Sequence, residues 1–253
     1  MAEHTTGTPT GDTAVVIPAY DEARRISATA LAARSIAGVD LVVVVDDGST
    51  DDTGARARAA GAVPVRHGRN RGKAGAMETG AAVVAAIDLR EGRTAPRHLL
   101  FLDADLERTA GAAGPLIEPV RAGRAAMTIA VLPPQLRAGG GHGFVVRAAR
   151  DGIARACGFT ATQPLSGQRC LTREAFEAAL PLAAGFGVET GLTIDLVRGG
   201  FAVEEVEVEL HHRVTGTDLA AQRHRARQYA HVARALAERG AAGALPGAIR
   251  GRG

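Results

Sequence analysis

The chain has 253 residues, 23% charged and 46% apolar, with 32 Gly and 11 Pro, a balance that excludes a disordered, collagen-like or disulfide-stapled protein. Lys plus Arg number 30 against 27 Asp plus Glu, so the formal charge of +3 is a weak field at this length. Aromatic residues make up 3% and Trp is absent, which argues against base stacking on nucleic acid.

Cys157 and Cys170 form no C-x-x-C pair, so neither a disulfide framework nor a thiolate metal site is expected. Met1 to Asp12 lacks the cationic and apolar regions of a signal peptide, and no apolar run approaches the ~20 residues of a membrane span. A soluble cytoplasmic enzyme is the expected class. Its single domain covers 13–239, with flexible tails over 1–12 and 240–253.

In chain order, Thr13 to Pro18 reads as a buried strand, and Asp21 to Ala37 as a helix with Asp21 as N-cap and Gly38 as its stop. Leu41 to Val45 is a second strand, too apolar to have a wet face, as in parallel sheets covered on both sides. A helix near Asp51 to Ala60, a strand at Val63 to Arg66, a helix from Lys73 to Leu89 and a strand at His98 to Leu102 follow. This βα alternation predicts an α/β fold with a doubly wound, mostly parallel sheet and helices on both faces. Further on, Ala125 to Leu132 reads as a strand, and Gly139 to Gly143 as a loop that either orders over a ligand or stays a surface loop. Helices are predicted at Phe144 to Cys157, Thr172 to Ala179 and Leu219 to Arg239, and a half-wet strand at Glu205 to Leu210.

Ligands of open α/β sheets bind beyond the carboxyl ends of the strands. Three predicted strands end there in polar groups: Pro18-Ala-Tyr-Asp-Glu22, Asp46-Asp-Gly-Ser-Thr-Asp51 and Asp103-Ala-Asp105. Asp103 and Asp105 share one side of an extended segment, where two carboxylates repel unless a cation joins them. Hard oxygen ligands of this kind suit Mg²⁺ or Mn²⁺. Gly68 to Ala74 is not a Walker A loop, because three residues separate Gly68 from Gly72 and Ala74 replaces Ser or Thr. Lys73 at a helix start can nevertheless meet a phosphate.

These segments, with Asn70-Arg-Gly-Lys-Ala74, resemble the family-2 glycosyltransferases and their GT-A fold, in order and spacing, over residues 15–105. The resemblance implies a nucleotide-diphosphate sugar donor, a UDP-sugar above all. Pro18, Ala19, Tyr20, Glu22, Asp47, Gly48, Ser49 and Lys73 would line the nucleotide, and Asp103, Ala104 and Asp105 the metal and diphosphate. The second half, at Pro164 to Arg169, Gly185 to Leu192 and His212-Arg213, is similar to glucosyl-3-phosphoglycerate synthases, and its Ser-Gly-Gln-Arg run also to polyprenyl-phosphate sugar transferases.

That likeness implies an acceptor and sugar side at Ser166, Gly167, Arg169, Gly187 and Glu189, with His212 joining Asp103 and Asp105 on the metal. Read from the residues alone, Glu189 could equally cap a helix, and His211 and His212 could be surface histidines. The expected reaction is transfer of a sugar to a hydroxyl or phosphate of a small phosphorylated or lipid-linked acceptor, with Asp105 and Glu189 as the catalytic carboxylates.

Two rivals are a sugar-1-phosphate nucleotidyltransferase and a non-catalytic nucleotide-sugar-binding scaffold. The first needs a glycine-rich loop where Pro18 to Glu22 has none; intact Asp103 and Asp105 count against the second. The basic last helix offers Arg223, Arg225, Arg227 and Arg234 to a phosphorylated acceptor, to anionic lipid or to solvent. Its apolar side, Leu219, Tyr229, Val232 and Leu236, is expected to meet the core or a second copy in a homodimer.

Overall fold

Long β-branched runs need burial on both faces, and the chain supplies it by stacking its first strands in parallel. A computed structural model describes residues 12–133, 142–211 and 219–240, apart from the side chains of 142 and 219–225. Seven strands form one sheet: β1 (Thr13–Ala19), β2 (Val39–Asp46), β3 (Val63–Arg66), β4 (His98–Phe101), β5 (Met127–Val131), β6 (Arg169–Leu171) and β7 (Val203–Glu207), in the order β3-β2-β1-β4-β6-β5-β7. β6 runs antiparallel to both its neighbours, β4 and β5; the other pairings are parallel.

Side chains alternate between two apolar layers. Val15, Ile17, Val42, Val44, Leu100 and Leu102 pack on α1 (Ile26–Arg34), a 3-10 segment (Glu107–Leu116) and α4 (Ile117–Arg121). Ala14, Val16, Val43, Val45, Leu99 and Phe101 face α3 (Gly72–Arg90), α6 (Arg173–Ala178) and α7 (Val188–Arg198). A short α2 (Thr53–Ala59) leads into β3. A smaller cluster joins α7 to α5 (His142–Cys157) and α8 (Leu219–Glu238) through Val145, Ala149, Ile153, Ile194, Val232 and Leu236. The apolar side of α8 therefore meets its own core at Val232 and Leu236. Among the described residues, no helix is long and apolar enough to cross a membrane.

Several elements differ from the sequence reading. Asp21 does not cap the first helix, which starts at Ile26. Its φ is +54°, and its Oδ1 accepts from Thr50 N (2.7 Å) and Thr50 Oγ1 (3.1 Å), tying the β1 loop to the β2 loop. The three-residue β6 and the helix α7 were not predicted: the first is too short for a periodic signal, and Gly187 and Gly191 mask the second. Asp12, at the end of the expected tail, is tied in: its N–H donates to Gly38 O (3.1 Å) and its carboxylate binds Arg121 (2.7 Å). Residues 134–141 and 212–218, and with them His212 and most of the glycine loop, lie outside the described residues, as does the tail from 241.

Candidate active site

Parallel pairing puts the ends of β1, β2 and β4 at one sheet edge, with Ala19 beside Asp46 and Asp46 beside Arg66 in register. The turn after β2 is held by its own side chains. Asp46 Oδ1 accepts from Ser49 N (2.8 Å), and Asp47 N donates to Ala19 O (2.8 Å). Ser49 Oγ accepts from Asp21 N (3.0 Å), and Ser49 O accepts from Arg66 (2.7 Å). Gly48 lies at φ +80°, and a Cβ there would press on the backbone of Arg69 and Asn70 at 2.8–2.9 Å, so only glycine lets the lysine loop lie against this turn. Tyr20, 48% exposed, presents its ring at the end of β1. Glu22 takes a hydrogen bond to its carboxylate from Arg25 (2.8 Å).

Helices α3 and α7 lie on the same face of the sheet and carry Lys73 and Glu189 in their first turns. Lys73 Nζ lies 2.8 Å from Asp103 Oδ1 and 2.8 Å from Glu189 Oε1. Glu189 suits the positive end of its own helix, whereas Lys73 is at the wrong end for its helix dipole. Burial would lower the Lys73 ammonium, but Asp103 and Glu189 outweigh it and hold it above the ordinary lysine range. The other Asp103 oxygen, Oδ2, accepts from Gln168 Nε2 (2.6 Å), whose Oε1 accepts from Ser166 Oγ (3.3 Å). Gly167 closes this cradle: a Cβ would overlap Lys73 Nζ and approach both Asp103 oxygens at 3.0–3.1 Å.

Four expected residues sit around this centre without reaching it. Ala104 is buried, its carbonyl accepting from Thr29 Oγ1 (2.7 Å). Pro18 lies within β1, level with Val45. Gly187 packs against α8, where a Cβ would press on His231 O at 2.8 Å and Ala235 Cβ at 2.9 Å. Arg169 points into the core because strand alternation sends it to the α7 face. Its guanidinium donates to Ser166 O (2.9 Å), Thr193 Oγ1 (3.0 Å) and Pro164 O (3.2 Å), and burial pushes it down to about 10. Since Thr193 Oγ1 donates to Glu189 O (2.9 Å), Arg169 braces both the 164–168 loop and the first turn of α7.

The sequence reading missed Gln168, Thr29 and His67. Gln168 was visible as a polar residue between Gly167 and a buried run; the other two carry no local signal, since their partners lie far along the chain. Around Asp103 and Asp105, the described contacts set five carboxylates (Glu22, Asp103, Asp105, Glu107, Glu189) against two cations, Arg25 and Lys73. Among the described residues no three His, Cys, Asp or Glu side chains form a ready metal cage. The hard oxygen set of Asp103 and Asp105 fits Mg²⁺ or Mn²⁺. His211, the last described residue before His212, is held through its backbone by the Thr109 hydroxyl, which donates to His211 O (3.5 Å) and accepts from His211 N (3.4 Å), in the 3-10 segment that follows Asp105.

Residues 14–140 match the family Glycosyl transferase family 2. The chain belongs to that family. Over 222 residues the transferase is 31% identical to glycosyltransferase AglJ of Haloferax volcanii, spanning 83% of this chain and 67% of that protein. Among solved structures, it is similar to glucosyl-3-phosphoglycerate synthase from Mycobacterium tuberculosis in complex with Mg²⁺ and uridine diphosphate. The TM-score is 0.73 at 28% identity, covering 90% of this chain and 79% of that one. The same synthase with Mn²⁺, uridine diphosphate and glucosyl-3-phosphoglycerate gives 0.71 at 28% identity, covering 90% and 80%. The seven-stranded sheet is thus a GT-A fold, and the chain is a glycosyltransferase.

Proposed function

We propose that the transferase moves a sugar from a uridine-diphosphate sugar to a hydroxyl or phosphate of a small phosphorylated acceptor, with Mg²⁺ or Mn²⁺ as cofactor. One observation carries the reading: Lys73, Asp103 and Glu189 meet at 2.8 Å contacts beyond the carboxyl ends of the strands, the side on which open α/β sheets take their ligands. Asp103 and Asp105 would hold the cation, with His212 as the third ligand that the resemblance assigns. A divalent ion there supplies positive charge against the departing diphosphate, the main electrostatic demand of this reaction.

The chain's own groups do the rest. Tyr20 offers an exposed ring to the base, and the Asp46–Ser49 turn shapes the floor under the ribose. Lys73 is charged at any working pH and stands where it can turn from the carboxylates to a diphosphate. Glu189 is ion-paired to that ammonium before donor arrives, so its carboxylate is engaged. Drawing Lys73 toward the diphosphate releases Glu189 to take the proton of the acceptor hydroxyl, so donor binding prepares the acceptor step.

The test is calorimetric titration of uridine diphosphate with and without Mn²⁺, on wild type and Asp105→Ala, beside transfer from UDP-glucose to phosphoglycerate. Metal-dependent binding that Asp105→Ala loses is the expected result. Nucleotide binding indifferent to both metal and Asp105 would overturn it, and release of pyrophosphate from UTP plus a sugar phosphate would assign a nucleotidyltransferase instead.

A further inference from the structure

The lysine loop is anchored in a way that its own sequence does not explain. The first N–H groups of a helix need acceptors and favour a negative charge nearby. Helix α3 supplies little of this locally: its N-cap, Arg71, makes no side-chain cap, its first turn holds no acid, and the neutral Asn70 Oδ1 accepts only from Gly72 N (3.0 Å). The charge comes from another loop. Asp47, buried after β2, accepts from Arg71 N at Oδ1 (2.8 Å) and from Gly72 N at Oδ2 (2.8 Å).

A third donor orients that carboxylate. His67 Nδ1 lies 2.7 Å from Asp47 Oδ1, and His67 Nε2 lies 2.9 Å from Thr79 Oγ1 on α3. With Nδ1–H donating to Asp47, Nε2 accepts from the Thr79 hydroxyl and both ring nitrogens are satisfied. The His67 N–H also donates to Asp46 O (2.9 Å). The segment from His67 to Gly72 is therefore pinned at both ends to the β2 turn, and Lys73 is the next residue.

We propose that His67 is a positioning residue for sugar transfer: it orients Asp47, which sets the start of α3 and thereby the Lys73 ammonium between Asp103 and Glu189. Asp47, whose two oxygens hold this loop, then serves donor binding through Lys73 rather than by touching the nucleotide. The effect on turnover rests on the reading that Lys73 meets the donor diphosphate; the effect on Lys73 itself does not.

The test compares His67→Ala, His67→Asn and His67→Gln. The Asn amide reproduces the donor at Nδ1, whereas Gln reproduces the group facing Thr79 and leaves Asp47 without its third donor. Two readouts are taken: kcat and KM for UDP-glucose, and the Lys73 Nζ resonance of the ligand-free protein, assigned by its loss in Lys73→Met. His67→Ala and His67→Gln are expected to lower kcat/KM about 100-fold, the scale of a ~1 Å misplacement, and to broaden or shift the Lys73 signal. His67→Asn is expected to restore both. If His67→Ala fails to fold, the Asn and Gln pair decides.

An unshifted Lys73 signal in His67→Gln, or a His67→Asn variant no better than His67→Gln, would overturn the proposal. A wild type that neither binds uridine diphosphate nor transfers from UDP-glucose would sink the donor reading instead, and the resonance comparison would still decide the role of His67.

Discussion

The sheet carries a charged cluster at each edge, and the two are built on different plans. At the amino edge Arg97 is buried, and its guanidinium binds Asp40 (2.7 and 3.0 Å), Asp88 (2.5 Å) and Glu91 (2.7 Å). Arg93 adds a contact to Asp40 and Arg173 one to Asp88, so three arginines face three carboxylates. Burial would lower Arg97, but Asp40, Glu91 and Asp88 outweigh it and hold it well above its ordinary range. A planar fork with four of its five N–H groups on fixed carboxylates has little to offer a ligand.

At the carboxyl edge a single flexible ammonium divides itself between Asp103 and Glu189, with Asp105 two residues on from Asp103. The first cluster ties β2, α3, β4 and α6 together; the second can exchange its partners for a diphosphate and a metal. Side-chain freedom, more than burial, separates a clamp from a site.

That contrast can be broken from either side. Asp105→Ala should lower turnover by about 1000-fold, the scale of removing charge stabilisation from a transition state, while the melting temperature stays within ~2 °C of wild type. A variant of unchanged turnover would remove Asp105 from the site. Arg97→Met should do the reverse, costing about 3 kcal/mol of stability because Asp88 loses its shortest charge partner and Asp40 and Glu91 lose theirs on Arg97. Its kcat, measured where the protein remains folded, should match wild type; a denaturant midpoint that did not move would refute the clamp.

Gly167→Ala sharpens the picture within the site. Its methyl displaces the Lys73 ammonium and should weaken uridine diphosphate binding about tenfold for a stability cost of ~1–3 kcal/mol, both readable by titration and melting.

The smallest effect belongs to the amino edge. Burial alone would raise the Asp12 carboxyl, but the Arg121 guanidinium holds it below its ordinary value of 3.8. Its contribution is therefore present above that value and fades as pH falls through the lower, folded one. Asp12→Asn should cost less than ~1 kcal/mol at pH 7, since the pair is largely exposed, and the difference from wild type should vanish near pH 2 in acid melts.

Much of the first half was legible because its signals are local. The valine run of β2 states burial on both faces, and Asp46-Asp-Gly-Ser49 and Asp103-Ala-Asp105 follow strands whose parallel pairing puts their ends at one edge. Lys73 was visible as a lysine at a helix start, and the likeness to glucosyl-3-phosphoglycerate synthases added Glu189, but no spacing rule joins the two across 116 positions. Asp21 misled the reading because its carboxylate looks like a helix cap locally, yet its partner is Thr50. The likeness to glucosyl-3-phosphoglycerate synthases put Arg169 on the acceptor side, and the pleat of β6 turns its guanidinium inward onto Thr193.

The sequence by itself determined the parallel sheet, its polar carboxyl edge and the family, because hydrophobic period and short motifs are properties of neighbouring residues. Only the tertiary structure decided which charges pair: Lys73 with Asp103 and Glu189, Asp47 with His67 and the start of α3, Arg97 with Asp40 and Asp88. Those pairings span chain distances over which no periodicity persists, and they arise because packing brings remote carboxylates and cations into a low-dielectric interior where unpaired charge is costly.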